Sequence, residues 1–390
     1  MKHPKRNDAY VDLPGDIILT HRGLSRLEGS KIKIAKINNH RGIVKEGIRS
    51  SNFHAQTLQK FVMNSFIEEL YVTSPELLNK RFEIISTNNL IIYAILYKKL
   101  TPALSDMLFN SRTVKDFNRK NPKNSIVKLE SINKIRLQEM MQKNKPLFDG
   151  MMSEVYNEVI YRIESNVGLS NEDKKTQTQS LDKFIAWIDN RIWYLYHIVC
   201  KTGLKDEMLS EFARMVADYL MRTQIATHLS NLLMELVQNA ERAHFRRIVI
   251  KNQLTQSGKE DKYIAKRENR VKISQMAGED NELIDLVWYM HPETTSLGRL
   301  YQVQVSVSNY GFINEIESTQ IKKKMSVNVD GISLADFYGS EEMGSDGAGL
   351  GLLYNSYLED YCKKEGIKYR CRIIPEPERE KTTVVLDITL

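Results

Sequence analysis

Three short stretches carry side chains that could do chemistry. In "LSNLLMELVQNAERAH", residues 229–244, Glu235 and Asn239 lie four apart and share one face of a helix. Asparagine is a poor interior helix residue, worse than alanine by about 0.6 kcal/mol, so its place there asks for a reason. A side-chain carbonyl suits a hard cation such as Mg²⁺, which takes oxygen ligands and keeps several waters. Glu235, one turn earlier, could orient or deprotonate a nucleophile. In "VQVSVSNYGFI" a strand pattern ends on Asn309 and Gly311. An amide at that point can pair with the edge of a base, and a glycine after a strand marks a turn or a close approach. In "SDGAGLGLLYNSYL", Gly347, Gly349 and Gly351 alternate and then give way to an apolar helix. Glycines at a helix start let backbone N–H groups point at an anion, and the helix dipole favours negative charge there. The spacing is neither that of a P-loop nor that of a dinucleotide fingerprint. Each stretch also has a plain structural reading, as a solvent-facing Asn, a turn and a loop.

The elements that must hold these residues are set by periodicity. Leu229, Leu232, Leu233, Leu236, Val237 and Ala240 form the apolar stripe of the first helix. Tyr301, Val303, Val305 and Val307 alternate with Gln302, Gln304 and Ser306, which is a half-buried strand. The chain closes on a second alternating strand, Val384, Leu386, Ile388 and Leu390, and "FRRIVIKN" reads as another. Upstream, "SKIKIAKI" reads as a strand, and Ser51 or Asn52 can cap a helix through "FHAQTLQKFVMNSFIEELY". Pro75 and Pro102 punctuate the next stretch of chain, and "VKDFNRKNPKNS" is a polar loop. A helical run covers about 125–165, "SNEDKKTQTQS" breaks it, and further helices fill 181–223. The pattern divides the chain into a mixed segment 1–50, a helical regulatory or dimerisation region 51–205, and a mixed α and β domain 206–390.

The order of these signals resembles the GHKL superfamily, which includes DNA gyrase, large heat-shock chaperones, sensor histidine kinases and the MutL proteins. "ELVQNA" is similar to that family's N box, "VSVSNYGFI" to a variant first glycine box, and "GAGLGL" to its second glycine box. The resemblance covers about 220–390. It implies an α+β chain in which a helical N-terminal region precedes a C-terminal α/β two-layer sandwich. By the same resemblance, Asn239 would hold Mg²⁺ on the phosphates of ATP, and Glu235 would act as base or assist phosphotransfer. Asn309 and Gly311 would sit at the adenine, with Thr382 or, as preferred here, Thr383 beside them. Gly347, Gly349, Leu350 and Gly351 would line the phosphates. Asn309 stands where the family usually has aspartate, and one glycine comes after it instead of two. Residues 251–300, with Trp288 and Tyr289, look like an insertion into that domain.

The implied function is that of an ATP- and Mg²⁺-binding signalling protein, similar to the catalytic domain of a soluble histidine kinase. It would act as a homodimer on a response regulator or other protein regulator. Two alternatives are a non-catalytic nucleotide switch of the anti-sigma type and an ATPase using Glu235. The eight histidines are succeeded by Pro4, Arg22, Arg41, Ala55, Ile198, Leu229, Phe245 and Pro292, so none has the acidic neighbour of a phosphoacceptor.

Composition narrows the classes further. Hydrophobic residues at 42% and charged residues at 27% suit globular cores. A net charge of +7 over 390 residues is mild and does not indicate nucleic acid. Three widely spaced cysteines fit neither a disulfide framework nor a metal site and suit a reducing, cytoplasmic setting. No signal-peptide pattern opens the chain. The most apolar stretch, "FIAWIDNRIWYLYHIVC", is short for a span and carries Asp189 and Arg191, so it reads as a buried helix and no membrane partner is expected.

Overall fold

The computed structural model describes residues 13, 15–39, 42–49, 54–126, 129, 132–200, 205–295, 298–311 and 350–390. It divides into two compact units, Met1–Ile92 with Ile225–Leu390, and Tyr93–Gln224.

The first unit is built on one antiparallel sheet of eight strands, in the order β2-β3-β1-β4-β5-β6-β8-β7. Its strands are β1 Gly15–Leu19, β2 Ala35–Asn38, β3 Val44–Arg49, β4 Ile67–Ser74, β5 Ile284–Thr295, β6 Gly298–Tyr310, β7 Lys368–Glu376 and β8 Lys381–Thr389. The alternation expected along β6 is present: Val303, Val305 and Val307 are buried, opposite Met290, Trp288 and Leu286 of β5 and Ile388, Leu386 and Val384 of β8. This unit holds the short helices α1 (His21–Leu27) and α2 (Ala55–Met63), and two long helices contribute to it, the first part of α3 (Arg81–Asn110) and α10 (Gln224–Lys251). A polar chain ties both to the sheet. Trp288 Nε1 donates to Asn88 Oδ1 at 3.2 Å, Asn88 Nδ2 donates to Ser230 Oγ at 2.9 Å, and Ser230 Oγ donates to Asn89 Oδ1 at 2.9 Å.

The structure corrects several expectations from the sequence. "FRRIVIKN" is the last part of α10, because Phe245, Ile248 and Val249 keep helical spacing. They pack with Ile264 of α11 (Glu260–Ile264) and with Ile273 and Ala277 of α12 (Arg267–Glu279). Residues 251–300 are no insertion, since β5 is an interior strand bonded to β4 and β6. Segment 1–50 is not separate, and the helical region is not N-terminal to the sheet. β1 to β4 join the same sheet through β4–β5 pairing, Leu70 opposite Trp288, so the helical unit lies between two halves of the sheet unit in the chain. The helix expected through 53–71 is α2, Ala55–Met63, and it stops before β4. Ser65, at φ +53°, turns the chain, and the Phe66 N–H donates back to the Phe61 carbonyl at 2.9 Å. "SKIKIAKI" yields the short β2.

The second unit, Tyr93–Gln224, is helical. It holds the remainder of α3, then α4 Arg112–Lys120, α5 Lys134–Lys143, α6 Lys145–Ser165, α7 Asn171–Trp187, α8 Asn190–Cys200 and α9 Lys205–Met221. The "polar loop" forms α4, capped by Ser111, whose Oγ accepts from the Val114 N–H at 3.4 Å. "SNEDKKTQTQS" opens α7 in place of breaking a helix, because Ser170 Oγ accepts from the Asp173 N–H at 3.1 Å. α3 runs through Pro102. The apolar stretch at 184–200 is two helices, α7 and α8, divided at Ile188 and Asp189. Trp193 and Phe212 stack at 5.2 Å between ring centroids in the core. Among the described residues, no helix is long and apolar enough to cross a membrane.

Candidate functional site

α10 buries fourteen of its residues, among them Leu229, Leu232, Leu233, Val237 and Ala240. Glu235 is half-buried, and Gln238, Asn239 and Arg242 are exposed, so the expected polar pair does share the open stripe of an otherwise packed helix. Burial pushes the Glu235 carboxyl above its ordinary value, and the charge of Arg81 at the start of α3 partly offsets this. A half-buried carboxyl raised in this way holds its proton more tightly than an exposed one, which suits it to proton transfer. Asn239, exposed one turn on, can offer its carbonyl oxygen to a cation whose other ligands come from phosphate and water. Among the described residues no group of three or more His, Cys, Asp or Glu could hold a metal by itself.

At the end of β6, Asn309 is opposite Thr382 of β8 and both are buried. Strand alternation puts them on the face of Val307 and Val384, the helix-facing side of the sheet. Asn309 Nδ2 donates to the Tyr310 carbonyl at 3.0 Å, and Thr382 Oγ1 donates to the Gly311 carbonyl at 2.7 Å. The Gly311 N–H donates to the Glu380 carbonyl at 2.8 Å in the turn before β8. Gly311 has φ +134°, and a Cβ there would lie 3.3 Å from Asn309 Nδ2, so the position requires glycine.

Thr383, expected beside Asn309, does not join this group. One residue further along β8 it faces the other side of the sheet, where its hydroxyl pairs with Ser308 Oγ at 2.7 Å and donates to Glu376 Oε1 at 3.0 Å. That other face holds a concavity of about 500 Å³ whose lining includes Asp285, Ser306, Arg372, Lys381 and Thr383. Its charges pair across strands: Lys381 with Asp285 at 3.1 Å, and Arg372 with Asp387 at 2.7 Å.

The glycine-led helix is α13, Leu350–Lys364, with Leu350 and Gly351 as its first two residues. Gly347 and Gly349 lie outside the described residues, as do Lys322, Lys323 and Lys324. α13 meets α10 where the rings of Tyr361 and His228 are 5.1 Å apart. His228 is eleven residues before Asn239, and Tyr361 is eleven residues after Leu350.

Sequence reasoning missed the groups that back this region. The Tyr310 ring has the Arg247 guanidinium at 5.6 Å and the Lys381 ammonium at 4.5 Å from its centroid. Arg247, on α10, pairs with both Glu282 and Glu380. His244 is fully buried beneath, 6.1 Å from the Tyr310 ring, and burial lowers its pKa to about 4. Glu241 is 1% exposed. It accepts the N–H groups of Leu77 and Leu78 at 2.9 and 3.0 Å and pairs with Arg270. Glu241 and His244 continue the apolar stripe of Val237 and Ala240, and polar residues in such a stripe are the signal that could have marked both.

Fold and site thus define an α+β protein with an eight-stranded antiparallel sheet and a polar cluster where β6, β8 and α10 converge. The chain belongs to a family of unknown function (DUF8084), whose model matches residues 6–390 and so takes in both units. An uncharacterized protein of Treponema pallidum (strain Nichols) is 21% identical over 390 residues, covering 99% of this chain and 98% of that protein. No solved structure matches.

Proposed function

We propose that the chain binds ATP with Mg²⁺ beside α10 and the β6–β8 end, and works as a nucleotide-dependent signalling protein of the histidine-kinase type. The observation that carries this is the grouping of Asn309, Thr382 and Gly311 on the helix-facing side of the sheet. With its Nδ2 engaged by the Tyr310 carbonyl, Asn309 has its Oδ1 to accept an amino group of a base. If the two helices run in opposite directions, the matched spacing of eleven residues about the His228–Tyr361 contact would bring Asn239 level with Leu350, after about 16 Å of rise on each. Asn239 and the turn before α13, with Gly347, Gly349 and Gly351, would then flank one triphosphate. Mg²⁺ on Asn239 would supply charge neutralisation to those phosphates. A response regulator or other protein regulator is the proposed partner, with the protein acting as a homodimer in the cytoplasm.

A second reading is favoured by one specific feature. The half-buried Glu235 carboxyl, raised by desolvation, suits a general base, which points to an ATPase of the GHKL kind. A nucleotide switch without catalysis would need neither.

Calorimetric titration with ATP and a non-hydrolysable analogue, with and without Mg²⁺, tests the site. Binding that needs Mg²⁺ in the native chain and is lost in Asn239→Ala is expected. No binding to the native chain would refute the nucleotide reading. Acid-labile label on a protein histidine after incubation with ATP would favour the kinase. Phosphate release that depends on Glu235 would favour the ATPase.

A further inference from the structure

Residues 20–49 carry eight Lys and Arg against two acids, so six of the chain's net +7 charges sit in one short segment. That segment contains β2, an edge strand of the eight-stranded sheet. The Asn39 N–H donates to the Ile43 carbonyl at 3.0 Å, which sets the phase of the β2–β3 ladder. With Ile37 opposite Lys45 and Ala35 opposite Gly47, those residues bond inward, and Lys36 and Asn38 turn their backbone N–H and C=O toward the edge that no other described strand covers.

The side chains around that edge are of two kinds. Lys31, Lys33 and Lys36 are exposed and form no ion pair among the described residues, whereas Lys45 pairs with Glu68 and Arg49 with Asp16. Ile34, Ile43 and Val44 are exposed at 40, 52 and 60%. Lysine on an edge strand commonly protects it from pairing with another chain. Three exposed aliphatic side chains beside it work against that protection, and together the two kinds make a complementary surface.

We propose that the β2 edge docks an extended acidic segment of a protein partner, which adds a ninth strand to the sheet. Its backbone would pair with Lys36 and Asn38, its carboxylates would lie toward Lys31 and Lys33, and its alternate aliphatic side chains would lie on the face shared by Ile34, the methylene stem of Lys36 and Val44. A nucleic acid fits less well, because residues 15–49 contain no Phe, Tyr or Trp on which a base could stack. A lipid surface fits less well, because it would cover the open N–H groups of β2 without offering a partner.

The test uses the full chain and a fluorescein-labelled peptide of alternating glutamate and valine, roughly eight residues long, an ordinary strand length. Fluorescence polarisation is expected to show salt-dependent binding. The same peptide N-methylated at alternate residues should bind at least about tenfold more weakly to the unaltered protein. Lys36→Pro, which removes an N–H that bonds to no strand among the described residues, should abolish binding, and Lys36→Gln should only weaken it. Equal binding of the methylated peptide overturns the proposal, as does an absence of binding to the unmethylated one. So does tighter binding of a single-stranded oligonucleotide or of phosphatidylglycerol vesicles that Lys36→Pro leaves unchanged.

Discussion

Asn309 and Thr382 stand opposite each other across β6 and β8, and the Thr382 hydroxyl reaches on to the Gly311 carbonyl at 2.7 Å. The pair and the glycine form one unit, in which a buried amide, a hydroxyl and a positive-φ turn hold one another. Thr382→Val removes the donor to that carbonyl and is expected to cost about 1 kcal/mol of stability. It should also weaken ATP binding. Thr383→Val acts on the other face of the sheet and is expected to leave ATP affinity unchanged. Titration of both variants against ATP checks the pair, and equal losses would put the threonine role in error.

Sequence alone could have settled that choice. Val384, Leu386 and Ile388 alternate along one face of β8, and Thr382 has their parity whereas Thr383 does not. What local pattern could not supply is the pairing of β4 with β5, Leu70 with Trp288, which joins segments far apart in the chain. Polar α4 was also hidden, since its composition is that of a loop and a cap at Ser111 with its packing makes it a helix. The stripe of α10 was legible up to Ala240. Beyond it, the β-branched run at 248–250 imitates a strand, and only the cluster with α11 and α12 decides for helix.

Asn239 and Glu235 separate stability from function. Asn239 is exposed in mid-helix, so Asn239→Ala should raise stability by about 0.6 kcal/mol while Mg²⁺-dependent nucleotide binding disappears. Denaturant midpoints measured beside the titration give both values on one sample. Glu235 has a carboxyl raised by burial, so the folded state holds its proton to higher pH than the unfolded chain does. Its ionisation therefore costs stability as pH rises through that interval. Glu235→Gln is expected to raise the denaturation midpoint near neutral pH. The gain should vanish below about pH 4, where both states are protonated.

Two glycines should respond in opposite directions. Gly311→Ala forces a Cβ into a φ of +134°, 3.3 Å from Asn309 Nδ2, and is expected to destabilise by about 1–3 kcal/mol. Gly150 lies in α6 with nothing within 4 Å of an added Cβ, so Gly150→Ala should stabilise by about 1 kcal/mol. Urea unfolding of the two variants against the native chain reads both signs.

Glu241 links α10 to the segment after β4 by accepting from Leu77 and Leu78, and Arg270 compensates its charge. Replacing it by alanine leaves the Leu77 and Leu78 N–H groups without their acceptor, while Arg270 keeps Glu76 at 3.1 Å. Leaving such groups unsatisfied costs about 1–3 kcal/mol each. Glu241→Gln retains a carbonyl acceptor for the N–H groups and should recover part of that loss. Equal unfolding midpoints for the alanine and glutamine variants would show that the backbone bonds contribute nothing.

His244 gives the sheet unit a defined acid sensitivity. It is fully buried on α10 next to Tyr310, and burial lowers its pKa to about 4 from an ordinary value near 6.5. Between those values the unfolded chain binds a proton that the folded chain refuses. Stability must therefore fall as pH drops from about 6.5 to about 4, by up to about 3 kcal/mol from this group, and level off below. Carboxylates with raised values act in the opposite sense over part of the same interval, and Glu235 and Glu241 are of that kind. The contribution of His244 is isolated by comparing the native chain with His244→Phe, which fills the space without titrating. The difference in unfolding free energy between the two should change across that pH interval and stay flat above it. A constant difference throughout would mean that His244 is as easily protonated in the folded protein as in the unfolded chain.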